Sequence, residues 1–242
     1  MKTISIISHL NLHRAICFIL VGLLSSCASV SVRDETAENK YQPQSMPKRI
    51  YLVGFEADEG EFNVDREGDE LVTFREEFRE NFLQALEERL EKHLAPTKRV
   101  TSISKVPRGN YWILDGRFVR VNQGSRALRA AIGFGAGGTK METEVSVYYS
   151  KRSKKRSFYS FETTGGSNAE PGLISAAGPG GGALAIAMIS ASAVATTSGG
   201  IAHGLTEDRE RTARMITATL SDYCYQKGWI DSSKRLIPKR IQ

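Results

Sequence analysis

Cysteine is scarce in this chain of 242 residues: Cys17, Cys27 and Cys224 are the whole supply. Three scattered thiols cannot build a disulfide framework, and none stands at the Cys-x-x-Cys spacing of a zinc site. Histidine is equally thin. Beyond residue 27 only His93 and His203 remain, and neither has a partner at metal-ligand spacing. No cofactor is expected. A long hydrophobic run is missing too. The N-terminal apolar stretch, "AICFILVGLL", has 10 residues, whereas a helix that spans a bilayer needs roughly 20. A strong basic excess is also lacking. The formal net charge is +6, and Lys2 and Arg14 lie upstream of Cys27, where there are no acids. The remainder carries about +4, too little for the footprint of a nucleic-acid binder. No internal repeat marks a solenoid.

Catalytic sets are incomplete. Ser102–Lys105 matches S-x-x-K but lacks the companion S-D-N and K-T-G elements. "GGSNA" at 165–169 narrowly misses G-x-S-x-G. Gly133, Gly135 and Gly138 formally fit G-x-G-x-x-G, but a strand pattern follows them where dinucleotide binding requires a helix. The chain is therefore expected not to be an enzyme. An envelope hydrolase using Ser167 or Cys224 is the outlying alternative.

What is present begins at the N-terminus. Residues 1–26 combine sparse positive charge, an apolar stretch and small residues, the layout of a cleaved secretory signal. Leu24-Ser25-Ser26-Cys27 resembles the bacterial lipobox. That resemblance implies a diacylglycerol on Cys27, cleavage just before it, and often acylation of the new amine. Two or more acyl chains, at ~0.8 kcal/mol per buried methylene, hold where one is marginal. Ala28, in place of Asp, implies export to the outer membrane. Residues 27–47, polar with two prolines, read as the lipidated cysteine and a flexible tether.

The rest, 48–242, reads as one α+β domain. "RIYLVGFEA" (49–57) is apolar on both faces, as in a central strand. Over 70–94, Leu71, Phe74, Phe78, Phe82, Leu86 and Leu90 recur every three or four residues, which predicts a long amphipathic helix. "RVTSIS" (99–104) is a short strand candidate and "YWILDGRFVRVNQ" (111–123) a longer one. "METEVSVYYS" (141–150) alternates cleanly and pairs with "SFYSFETTG" (157–165) as a hairpin across a Lys/Arg turn. A last helix is expected from an N-cap near Thr206, with Ile216, Leu220, Tyr223 and Cys224 on its core face and Lys227-Gly228 at its end. The expected fold is a single mixed sheet with both helices packed on it.

Two Gly-rich insertions, 124–140 and 165–204, stand apart. The first carries Arg126, Arg129, Gly133, Gly135, Gly138 and Lys140. Connections this long usually have a function of their own, and the basic residues suit a contact loop for a partner or for lipid head groups. Within the second, 171–202 carries no charge and repeats small residues every four positions, suited to close backbone approach. A buried helix, a subunit contact and partial membrane insertion all remain open for it.

From "YWILDGRFVRVNQGSRALRAAIGFGAGGTKMETEVSVYYS" through "GGGALAIA" to "YQKGW", the chain resembles the bacterial lipoproteins of domain-of-unknown-function family 4410. The Arg-rich "RALRAAIGFGAG" is the most specific part. The resemblance implies an envelope location and an α/β fold, and it lends no catalytic residues. A weaker similarity links the chain to the curli-secretion channel lipoproteins, whose corresponding segments form membrane hairpins in a ring. Here those segments lack the apolar/polar alternation of a barrel strand. The function expected is that of a non-enzymatic binding or assembly module, an outer-membrane lipoprotein facing the periplasm. It would be held at the membrane through Cys27 and partnered by an envelope protein or its own copies, not by nucleic acid. The alternative is an oligomeric secretion or transport subunit.

Overall fold

The computed structural model describes residues 29–38, 42–124, 138–151, 157–166 and 200–241, with backbone alone at 200–203. Among the described residues, seven strands form one mixed sheet. They are β1 (Ser29–Ala37), β2 (Arg49–Glu56), β3 (Glu61–Asn63), β4 (Thr97–Arg99), β5 (Tyr111–Asn122), β6 (Lys140–Tyr149) and β7 (Tyr159–Gly166). The strand order is β1-β7-β6-β5-β2-β4, with β3 also pairing β5. Because β6 takes one edge of β5 from Trp112 to Asn122, β2 and β3 lie end to end along the other. β2, β3 and β5 run parallel, while β5, β6, β7 and β1 alternate in direction.

Among the described residues two α-helices, α1 (Gly68–His93) and α2 (Gly200–Gln226), cover one face. The expected stripe is the buried one. Phe78, Phe82, Leu86 and Leu90 are buried, and Phe74 packs against the core. Phe118 of β5 sits amid their rings, with centroids of Phe55, Phe78 and Phe82 between 5.2 and 5.7 Å away. On α2, Ile216, Leu220, Tyr223 and Cys224 are all buried. α2 ends in a Schellman motif. Trp229 N–H reaches Cys224 O (3.0 Å), Gly228 N–H reaches Tyr225 O (2.9 Å), and Gly228 holds a left-handed φ of +71°. Trp229 and Ile230 then fold back onto the core.

Three expectations are corrected. Residues 29–37 are not tether but edge strand β1, because Val30 and Val32 alternate with polar neighbours and bury beside β7. The "RVTSIS" strand lies slightly earlier, at Thr97–Arg99, and Ile103–Lys105 forms a 3₁₀ turn capped by the Ser102 hydroxyl. Thr206 is inside α2 rather than its cap, since the helix already starts at Gly200.

Candidate functional site at one end of the sheet

The register places one residue from each of five strands in a single transverse row. Ser29 of β1 pairs with Gly166 of β7, Gly166 with Lys140 of β6, Lys140 with Asn122 of β5, and Asn122 with Asn63 of β3. This row is where β1 begins and where β7, β5 and β3 end. The first Gly-rich insertion therefore leaves and re-enters the fold here, and the second leaves it here. Cys27 precedes Ser29 by two residues, a covalent reach of at most ~7 Å.

Of the sequence-predicted contact residues, Gly138 and Lys140 are in the row or directly beside it. Arg126, Arg129, Gly133 and Gly135 lie outside the described residues, as do Cys27 and the segment 171–199. The Lys/Arg turn is described only at Lys151, on the opposite end of the β6–β7 hairpin.

Lys140 is engaged by its own strand. Its ammonium lies 2.9 Å from Glu142 Oε1, and Glu142 also accepts from the Thr164 hydroxyl at 3.1 Å and faces Arg120 at 3.6 Å. Burial pushes the Glu142 carboxyl up. Lys140, Thr164 and Arg120 more than offset this and hold it below its ordinary value. Arg120 continues the chain to Glu61 at 2.9 Å. Strand alternation puts these groups on the sheet face away from the helices. Along that face Arg117 grips Glu144 with two bonds (2.7 and 2.8 Å), and Arg33 holds Glu162. Exposed pairs of this kind stabilise little, and they leave the face near neutrality.

The helix side of the row is closed by a buried polar knot that periodicity did not reveal. The Thr139 hydroxyl donates to the Asp208 carboxylate of α2, and Arg211 donates to the same carboxylate at 3.1 Å. Thr139, Asp208 and Thr212 are fully buried. Burial drives the Asp208 carboxyl above its ordinary value, and Thr139 and Arg211 offset only part of that. A hydroxyl beside a carboxylate is the raw material of a nucleophile–base pair, but both side chains are sealed from solvent. Their role is to pin α2 to the start of β6.

Glycine makes that pin possible. A Cβ on Gly166 would stand 1.9 Å from the Thr139 carbonyl oxygen, and one on Gly204 would stand 2.9 Å from the Thr139 methyl. Gly138–Thr139 closes the first insertion, Gly166 opens the second, and Gly204 lies in the first turns of the helix that follows it. All three converge on Thr139. The pair Gly165-Gly166 at a strand end was the available sequence signal, since glycine there marks close backbone approach.

Cys224 is fully buried, and burial pushes its thiol up to about 12. It behaves as a packing residue. Among the described residues no group of three or more His, Cys, Asp or Glu could hold a metal ion, and no helix is long and apolar enough to cross a membrane.

Residues 50–183, from β2 through β7 and beyond, match the family model described as Domain of unknown function (DUF4410). The chain belongs to this family. No curated protein matches the DUF4410 chain. Among solved structures it is similar to the PelC dodecamer from Paraburkholderia phytofirmans. The identity is 9%, the TM-score 0.34, and the match covers 56% of this chain and 80% of that one. A PelC point variant from the same organism gives 10%, 0.33, 67% and 93%. A neuraminyllactose-binding hemagglutinin homolog from Helicobacter pylori gives 13%, 0.29, 50% and 66%. Likeness of this degree transfers neither activity nor assembly to the DUF4410 chain.

Proposed function

We propose that this DUF4410 member is an outer-membrane lipoprotein facing the periplasm, held through acylated Cys27, and that it is a non-enzymatic binding or assembly module. Its contact surface is the end of the sheet that carries the Ser29–Gly166–Lys140–Asn122–Asn63 row. The observation that carries this reading is the convergence itself. The start of β1, two residues after Cys27 in the sequence, and the points where both Gly-rich insertions leave the fold lie at one end of one sheet.

This reading carries an orientation for the domain. With Ser29 at most ~7 Å from the acylated cysteine, the row faces the bilayer. β6, 10 residues long, directs the opposite hairpin end about 30 Å away from it. The first Gly-rich insertion, whose sequence carries Arg126 and Arg129, leaves the fold at this row, and basic residues suit anionic head groups or a partner seated at the membrane. The incomplete catalytic sets and the buried, unreactive position of Cys224 favour binding over catalysis.

The test is the native mass and composition of the lipidated, detergent-extracted protein, with mass spectrometry of its N-terminal peptide. The reading predicts a diacylglyceryl Cys27 and a monomer or dimer that co-purifies with an envelope partner. A ring of many copies would instead make the insertions subunit contacts. An unmodified or uncleaved N-terminus would remove the anchor.

A further inference from the structure

β1 has the composition of a tether and the position of a strand. Only its first residues are buried: Val30, Ser31 and Val32. The next five are exposed, the pairing with β7 shifts register between Arg33 and Thr36, and Asp34 adopts a left-handed φ of +53°. The main hydrophobic cluster is built by β2, β5, β6, β7 and the two helices, and β1 adds Val32 to it. Lifting β1 away would give up the burial of Val30 and Val32 and leave the other members of that cluster in place, the pattern of a segment that opens below the global limit.

Its outer edge is held by the C-terminal tail. Val32 N–H donates to Lys239 O (2.7 Å), Ile241 N–H donates to Val32 O (3.0 Å), and Val32 bridges Arg240 in parallel. The Arg240 side chain completes the fastening. It donates to Glu35 of β1 and, at 2.8 Å, to Asp222 of α2. Glu35 also accepts from the Tyr159 hydroxyl. Asp222 is fully buried and takes a second guanidinium, Arg235, at 2.6 Å. One fork thus joins a fixed point on α2 to the strand that leads to the anchor.

We infer that β1 is a releasable strap, latched by Arg240 between Glu35 and Asp222, that sets how far the domain stands from the membrane. The standoff rests on the lipid-anchor reading above, whereas the local opening does not. Latched, the domain is tied within two residues of Cys27. Unlatched, the chain is freed only as far as Gln42, because Gln42 accepts from Lys227, the Met46 carbonyl accepts from Asn110 and Met46 packs on the core. These roughly 14 residues have a coil reach of ~20 Å, and the β7 edge is freed.

Hydrogen exchange on the full lipidated chain in phospholipid vesicles tests this, reading peptides over 29–38 against those over 111–122 and 140–149. In the wild type, β1 amides should exchange through an opening that leaves β5 and β6 protected. Arg240→Ala should raise β1 exchange about tenfold, the worth of a charge-assisted hydrogen bond, with β5 and β6 still far better protected than β1. Arg240→Lys should fall between. If β1 exchanges only in step with β5 and β6 in the wild type, or if Arg240→Ala leaves it unchanged, the strap is refuted. The wild-type comparison decides the matter even if the variant fails to fold. The mass of the N-terminal peptide reports the anchor separately, so an unacylated Cys27 would overturn the proposed function without altering the exchange result.

Discussion

Gly166 and Lys140 face one another across β7 and β6, and a Cβ on Gly166 would overlap the carbonyl of Thr139 next door. The points where the two longest insertions join the fold are thereby fixed against each other by backbone contact. Gly166→Ala must displace Thr139 and strain the Asp208 pin. We expect a loss of about 2–3 kcal/mol in urea unfolding, as for other forced overpacking. An unchanged midpoint would mean that the junction is loose.

Phe118 tests the core beneath. Its ring is buried among Phe55, Phe78 and Phe82. Phe118→Ala should cost about 3–5 kcal/mol, read by thermal or urea unfolding, and a value under about 1 kcal/mol would contradict this packing.

Two buried aspartates give opposite pH limbs. Burial pushes the Asp222 carboxyl up, but the bonds from Arg240, Arg235 and Gln226 outweigh it, so the folded value lies below the ordinary one. Its contribution is complete above the unfolded value of ~3.9 and is lost as pH falls through the lower folded value. Asp208 is raised by burial. Its ionisation weakens the fold as pH rises from ~3.9 through the raised folded value. Asp208→Asn, whose amide oxygen can still accept from Thr139, should flatten the second limb. Asp222→Asn should flatten the first and lower stability at neutral pH by about 2 kcal/mol. Stability measured from pH 3 to pH 8 would show both, and identical profiles for the two variants would contradict the assignment.

Arg129→Glu addresses the contact surface. The reading predicts weaker association with anionic vesicles or with an envelope partner at unchanged thermal stability. Loss of soluble folding would make the residue structural and end that part of the proposal.

Much of the fold was legible because period and burial agree. The phenylalanines of α1, the alternation of β6 and the Lys227-Gly228 stop each state their own environment. β1 was missed because most of its residues are polar and exposed. Its strand state comes from partners far along the chain, β7 and the tail near Arg240, which composition cannot show. The Thr139–Asp208 pin was missed for the same reason, since its partners are 69 residues apart. The convergence of the insertions was likewise invisible until register set Ser29, Gly166, Lys140 and Asn122 in one row.

The most direct measurement places fluorophores at the two ends of the sheet in the lipidated protein on vesicles carrying a head-group quencher. Asn63→Cys marks the row and Lys151→Cys marks the opposite end, while buried Cys224 stays unlabelled. The account predicts strong quenching at 63 and little at 151, which lies about 30 Å farther along the strands. Equal quenching, or stronger quenching at 151, would contradict a sheet end that faces the membrane.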